Sequence, residues 1–212
     1  MNERIKAILF DMDGVLIEAK DWHYESLNRA LAMFGFEISR HDHLVTYDGL
    51  PTRVKLEMLS KERGLPVGLH DLINNLKQKY TIELVHSKCR PTFHHQYALS
   101  KLKSQNFKLA VCSNSIRSTI DQMLGRAAIS HWFDLTLSSE DVSRAKPDPE
   151  IYSKAIQRLG LKPIDCLVVE DNQNGIRAAK AAGAYVLAVD NADDVTFENI
   201  VAAIAQLETA YA

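Results

Sequence analysis

The chain has 212 residues, 46% of them apolar, with a formal net charge of −2. That length supports one full core with a modest appendage, or two small domains, and so small a charge supplies no basic field for nucleic acid or an anionic membrane surface. The opening MNERIKAILF holds only a short apolar run, where a spanning helix needs roughly 20 such residues and a secretory signal also needs more; a cytoplasmic chain with no membrane or nucleic-acid partner is expected.

In chain order, Ile5–Phe10 is the first of four continuous apolar runs rich in β-branched residues. Leu109–Cys112, Leu167–Val169 and Tyr185–Val189 are the others, and Phe133–Leu137 is a further candidate. Apolar runs without alternation suit strands buried on both faces, as in a parallel sheet. Residues 18–86 contain no such run. There Asp21–Phe34, Arg53–Glu62 and Leu69–Val85 repeat their apolar residues at helical spacing, and Gly49-Leu50-Pro51-Thr52 and Gly64-Leu65-Pro66 mark turns.

From about residue 92 strand and helix alternate. Thr92–Gln105, Ile116–Leu124, Pro149–Leu159 and Asn174–Ala182 are the predicted helices. Asp148-Pro149-Glu150 reads as an N-cap, a proline at the first helical position and an acidic first turn, and Gly160 and Gly183 as helix stops. The order predicts an α/β fold, an open Rossmann-like parallel sheet with right-handed crossovers. Residues 1–17 and 87–212 would form it, with residues 18–86 inserted as a helical cap. An insertion directly after the first strand is a lid candidate.

Cys89, Cys112 and Cys166 are isolated from one another, and the last two fall in strand-like runs, so packing is expected rather than a bridge or catalysis. His41-Asp42-His43 and His94-His95 have no further ligand at metal-binding spacing and are expected as solvated loop and helix-surface residues.

In an open parallel sheet, ligands bind at the carboxyl ends of the strands. The first run ends in Asp11 and Asp13, and the second in Ser113 and Asn114. Phe133–Leu137 leads to Ser138-Ser139-Glu140-Asp141 and then Lys146, the fourth run to Glu170-Asp171, and the last to Asp190. Carboxylates gathered so closely repel by roughly a few kcal/mol per pair at an effective dielectric near 20. A set of oxygen ligands without histidine or cysteine points to a hard cation, and Mg²⁺ suits a site that also takes phosphate. Asp11 and Asp13 flank Met12 in extended chain and so project to one side, while Gly14 lets the chain turn away.

Asp11-Met12-Asp13-Gly14-Val15, Ser113-Asn114, Lys146-Pro147-Asp148-Pro149 and Glu170-Asp171-Asn172-Gln173-Asn174-Gly175 resemble, in this order, the four motifs of the haloacid dehalogenase (HAD) superfamily. The helical insert resembles the cap of its beta-phosphoglucomutase-like branch, and the resemblance runs from Ile5 to Val189. It implies that Asp11 is a nucleophile giving an aspartyl-phosphate and that Asp13 is the general acid, then the base. The Ser113 hydroxyl and the Asn114 amide would hold phosphate oxygens, and Lys146 would stabilise charge on the nucleophile and transferring group. Asp171, with Glu170 beside it, would complete the Mg²⁺ shell together with Asp11 and the backbone carbonyl of Asp13.

His23 stands ten residues after Asp13, where this branch often has a cap-linker histidine near the acid/base; the plain alternative is a helix-surface residue. Arg53 follows the turn where related caps carry a substrate-facing loop, and a guanidinium there suits a sugar hydroxyl or second phosphate. Trp22 and Tyr24 are expected to pack, Lys77 and Lys79 to be solvated. Two positions depart from the branch's pattern. Glu18-Ala19 replaces Asp followed by Ser or Thr, and Ile116-Arg117 stands where related mutases place a lysine; Arg117 is a candidate substitute for it.

The expected function is therefore a Mg²⁺-dependent phosphatase for a small phosphorylated metabolite, a sugar phosphate, acting as a monomer. The alternative is a hexose-phosphate mutase of the beta-phosphoglucomutase type, which returns the phosphoryl group to sugar. Asp13 argues against the dehalogenases and phosphonate-cleaving members of the superfamily. A receiver-like phospho-acceptor module is shorter and has no reason to carry the insertion.

Overall fold

Five strands organise the larger of the two units in the computed structural model, which describes residues 5–209. This unit runs up to Glu18 and resumes at Arg90, and Ala19–Cys89 make the other. The strands are β1 (Ala7–Phe10), β2 (Lys108–Cys112), β3 (Leu135–Leu137), β4 (Cys166–Glu170) and β5 (Tyr185–Ala188). They lie in the order β3-β2-β1-β4-β5, and every pairing is parallel. The strand order reverses at β1, with β2 on one side and β4 on the other. That reversal is where an open α/β sheet leaves a crevice at its carboxyl edge.

Ala19–Cys89 form α1 (Lys20–Ala32), a short α2 (Arg40–Asp42) running into a π turn over His43–Tyr47, α3 (Thr52–Arg63) and α4 (His70–Lys88). Leu27, Leu31, Ile38, Tyr47, Leu56, Leu59 and Ile73 form its core. Asn28 clamps the α1–α2 link by donating to the Ile38 carbonyl at 2.8 Å and accepting from the Ile38 N–H at 2.8 Å. α3 stops at Gly64, whose φ of 71° lies in the left-handed region that glycine enters without cost. The turn over His43–Tyr47 carries no helical period long enough to be read from sequence.

The larger unit adds α5 (Phe93–Ser104), α6 (Arg117–Arg126), α7 (Glu150–Arg158), α8 (Gln173–Ala181) and α9 (Phe197–Thr209). Ala7, Leu9, Ala110, Cys112, Cys166 and Val168 on one sheet face pack with Ile151, Tyr152, Ala155, Ala178 and Ala179 of α7 and α8. The alternate residues Ile8, Phe10, Leu109, Val111, Leu167 and Val169 are buried as well, which is why these strands read as continuous apolar runs. β3 is shorter than Phe133–Leu137 because Ser130–Trp132 forms a 3₁₀ turn and the Asp134 side chain accepts from the Leu109 N–H at 2.8 Å. α7 begins one residue later than expected. Pro149 takes the cap position, and Asp148 caps from outside it by accepting the Glu150 N–H at 3.0 Å.

Three polar residues expected at the surface are interior. His43 is 2% exposed, tilted against Tyr24 with ring centroids 5.1 Å apart, and neither ring nitrogen has a hydrogen-bond partner. His95 is 3% exposed; its Nδ1 meets the Thr92 hydroxyl at 2.8 Å and its Nε2 the Ala192 carbonyl at 3.0 Å. Burial pushes both imidazoles down to about 4, so they are neutral at pH 7. Lys77 is buried too, and its Nζ lies 3.2 Å from His23 Nδ1.

Candidate active site

The first segment of the site is shaped by one carbonyl. After β1 the N–H groups of Val15, Leu16 and Ile17 all point at Met12 O, at 3.3, 2.9 and 3.0 Å, while Gly14 N–H reaches Ile17 O at 2.7 Å. Wrapping the chain this tightly needs a positive φ at Gly14, 86°, which a side chain would resist. The wrap leaves Asp11 and Asp13 on either side of Met12 at the end of the central strand. Asp11 is anchored through its own N–H to Val169 O at 3.0 Å.

The second segment leaves β2. Ser113 N–H donates to Leu137 O at 3.0 Å, and the buried Ser113 hydroxyl accepts the Ser115 N–H at 3.0 Å. α6 starts later, at Arg117, so Ser113 does not cap it. Asn114 Oδ1 accepts the Lys146 N–H at 3.1 Å, tying the second segment to the third. There a cis peptide precedes Pro147.

Lys146 is 5% exposed, and its Nζ sits 2.7 Å from Asp11 Oδ1 and 2.6 Å from Glu170 Oε1. Burial pushes this ammonium down, but Asp11 and Glu170 outweigh it and lift Lys146 above the ordinary lysine value. It is therefore a permanent cation.

Glu170 closes the network. Its Oε1 also accepts the Tyr152 hydroxyl at 2.8 Å, and its Oε2 accepts the N–H groups of Asp171 and Asn172 at 3.1 and 3.2 Å. The carboxylate lies against the first turn of α8, where Gly175 has no side chain; a Cβ there would fall 1.6 Å from Glu170 Oε1. Tyr152, fully buried on α7 with its phenol pushed well above 10 by burial and Glu170, acts here only as a donor.

Asp11, Glu170 and Asp171 each bring a carboxylate oxygen within 4.8 Å of one another. Burial raises the Asp11 carboxyl well above its usual range against the pull of Lys146, and Glu170, Asp171 and Asp13 raise it further. Two carboxylates, Asp11 and Glu170, thus hold the one ammonium, while Asp171 and Asp13 add negative charge beside Asp11. A compact set of hard oxygen donors with excess negative charge fits a divalent cation such as Mg²⁺. Cys112, pushed up to about 12 by burial, is no nucleophile.

Asp11, Asp13, Ser113, Asn114, Lys146, Glu170 and Asp171 thus belong to one unit and converge on the carboxyl ends of β1, β2 and β4. His23 and Arg53 belong to the helical unit. His23 faces Lys77 as described; Arg53 lies on α3 with its side chain 81% exposed and paired with Glu57 Oε1 at 3.1 Å. Arg117, the candidate substitute for a mutase lysine, is engaged within its own unit. Its guanidinium holds Thr136 O at 2.9 Å and Asp141 Oδ2 at 2.5 Å. Sequence reasoning missed Tyr152, whose position in α7 signals only core packing, and Ser115, whose hydroxyl bonds Asp13 Oδ2 at 2.9 Å.

Comparison with known proteins agrees with this geometry. Residues 8–189 match the family model described as haloacid dehalogenase-like hydrolase. A phosphorylated carbohydrates phosphatase of Thermotoga maritima is 29% identical over 187 residues, covering 84% of this chain and 82% of the relative. A phosphoglycolate phosphatase of Aquifex aeolicus is 31% identical over 181 residues, with the same coverages of 84% and 82%. Among solved structures, a beta-phosphoglucomutase from Clostridium difficile superposes with a TM-score of 0.83 at 23% identity, over 97% of this chain and 99% of its own. A match over nearly the whole sheet, joined to this arrangement at the strand ends, makes the chain a member of the haloacid dehalogenase-like hydrolases.

Proposed function

We propose that the chain is a phosphatase for a small phosphorylated metabolite, a sugar phosphate, working through an aspartyl-phosphate on Asp11. The observation that carries this reading is Lys146, buried and held 2.7 Å from Asp11 Oδ1 and 2.6 Å from Glu170 Oε1. A fixed cation beside a strand-end carboxylate suits attack on an anionic phosphorus centre. The names of the Thermotoga and Aquifex relatives support the substrate class.

Asp11 attacks phosphorus while the bond to the leaving oxygen breaks, and Asp13 gives that oxygen its proton. In the second half Asp13 takes a proton from water as the water oxygen bonds phosphorus and the Asp11–phosphorus bond breaks. That step releases inorganic phosphate, returns Asp11 as a carboxylate and leaves Asp13 protonated, as it began. The Ser113 hydroxyl and Asn114 amide hold phosphate oxygens, and Lys146 balances charge on Asp11 and the transferring group. Asp11, Asp171, Glu170 and the Asp13 carbonyl would hold Mg²⁺, which when bound neutralises phosphate charge. Residues 19–89 select among substrates, with Arg53 and His23 as their contributions.

The test is a screen of phosphorylated metabolites with and without Mg²⁺, recording free phosphate and isomerised sugar phosphate together. Release of phosphate that needs Mg²⁺ and is abolished by Asp11→Asn is expected. Full activity in excess chelator would refute the metal reading. Dominant conversion of beta-glucose 1-phosphate to glucose 6-phosphate would make the chain a mutase instead.

A further inference from the structure

Ser115 lies in the loop between β2 and α6. Its backbone is held on both sides: the N–H donates to Ser113 Oγ at 3.0 Å, and the carbonyl accepts the Ser139 N–H at 3.0 Å. The loop therefore does not depend on the Ser115 side chain. Its hydroxyl instead reaches across 102 positions of sequence to donate to Asp13 Oδ2 at 2.9 Å. The backbone around Asp13 is likewise secured without it, by the wrap over Met12 O.

We propose that Ser115 is a positioning residue for Asp13, pinning Oδ2 so that Oδ1 carries the proton that is given to the leaving group and later taken from water. The proposal rests on the reading of Asp13 as the acid/base. A carboxyl group turns freely about its terminal torsion, whose energy is broad and two-fold. A hydroxyl that donates to one oxygen removes that freedom and occupies an acceptor position of Oδ2. The proton of the neutral acid is left to Oδ1. An acid/base must hold its proton within about 2.6–3.2 Å of the receiving atom, so fixing the torsion bears directly on the rate. In the first half the Oδ1 proton passes to the leaving oxygen as its bond to phosphorus breaks. In the second half Oδ1 recovers a proton from the attacking water. Ser115 itself gains and loses nothing.

The experiment compares Ser115→Ala, Ser115→Thr and the natural chain by rapid quench, measuring the protein-bound phosphoryl group. One substrate is 4-nitrophenyl phosphate, whose leaving group needs no proton; the other is glycerol phosphate, whose alkoxide does. With Ser115→Ala, phosphoryl transfer from 4-nitrophenyl phosphate should stay within about threefold of the natural chain. Transfer from glycerol phosphate, and decay of the phosphoenzyme from either source, should slow roughly tenfold or more, the low end of what acid–base catalysis contributes. Ser115→Thr, which keeps the hydroxyl, should restore both. Equal slowing of transfer from the two substrates would place Ser115 in phosphate binding and overturn the proposal. So would unchanged rates with glycerol phosphate, or failure of threonine to restore them in a variant that unfolds at the natural temperature. If the natural chain carries no protein-bound phosphoryl group, the aspartyl-phosphate reading itself falls, and this proposal with it.

Discussion

Replacing Gly175 by alanine puts a methyl group where the Glu170 carboxylate lies. The added Cβ would stand 1.6 Å from Oε1, 2.0 Å from Cδ and 2.4 Å from Oε2, so the carboxylate has to leave. It would forfeit four hydrogen bonds, from Lys146, Tyr152, Asp171 N–H and Asn172 N–H. Each such bond to a charged group contributes roughly 1.5–3 kcal/mol, without full additivity. Breaking a buried ion pair costs about 3–5 kcal/mol, and alanine returns about 1 kcal/mol of helix propensity. The net expectation is a loss of roughly 2–4 kcal/mol, or about 5–15 °C in Tm for a chain of this size. Thermal unfolding of Gly175→Ala measures it directly. The decisive comparison is a double-mutant cycle with Glu170→Ala. Once that carboxylate is gone, Gly175→Ala should stabilise the chain by about 1 kcal/mol through helix propensity alone. If alanine at 175 costs the same in both backgrounds, the close approach of Glu170 is not what demands glycine, and the reasoning fails.

Four further outcomes are expected. His43→Phe should raise stability at pH 7 by about 1–2 kcal/mol, because it removes two unsatisfied buried nitrogens while keeping a ring against Tyr24; a fall in Tm would mean the imidazole has a partner. For His43 and His95 the folded value near 4 lies below the ordinary 6.5, so protons bind the unfolded chain first. Stability should therefore fall as pH drops from 6.5 toward 4, by up to about 3 kcal/mol per histidine. The groups facing His43 are Lys55, Asp48, His23 and Arg40, and those facing His95 are His94 and Asp193. His43→Phe should flatten the His43 share of that loss in denaturation curves at pH 7 and pH 4.5, and an unchanged slope would count against it. Tyr152→Phe removes one donor from Glu170 and should cost about 1.5–3 kcal/mol with a smaller effect on substrate KM; unchanged unfolding would show the phenol contributes nothing. Arg53→Ala breaks only an exposed pair worth about 0–1 kcal/mol. It should leave Tm alone yet lower kcat/KM for the best sugar phosphate by roughly tenfold, sparing a small aryl phosphate, and equal losses on both would remove Arg53 from substrate selection.

Much of the sheet was legible because a strand covered on both faces must be apolar at every position, as Ala7-Ile8-Leu9-Phe10 is. The residues that meet at Lys146 were legible for the opposite reason. Charge at the end of a buried strand is costly and so stands out. What stayed hidden depends on contacts between distant segments. His43, His95 and Lys77 carry residue types that are usually solvated, and only tertiary packing buries them. Tyr152 looks like a core residue because its ring is one; its hydroxyl matters only because Glu170 arrives 18 positions later. α9 was readable in principle, since Thr196 Oγ1 accepts the Asn199 N–H at 3.1 Å at its start. It lies beyond Val189, where the resemblance to known motifs ends.

The central place of β1 has a consequence during synthesis. Among the described residues it is the first strand made, yet its nearest strand partner along the chain, β2, begins at Lys108. At about 5–20 residues per second, the four residues Ala7–Phe10 wait on the order of 5–20 s with nothing to pair with. A short apolar strand exposed that long is a template for pairing with other chains. Lys6 on one side and Asp11 and Asp13 on the other flank it with charge, as gatekeeping residues do. Whatever they do in chemistry, these aspartates therefore stand where charge opposes such pairing before the sheet exists. Neutralising one should lower the recovery of folded protein from expression as well as activity per molecule.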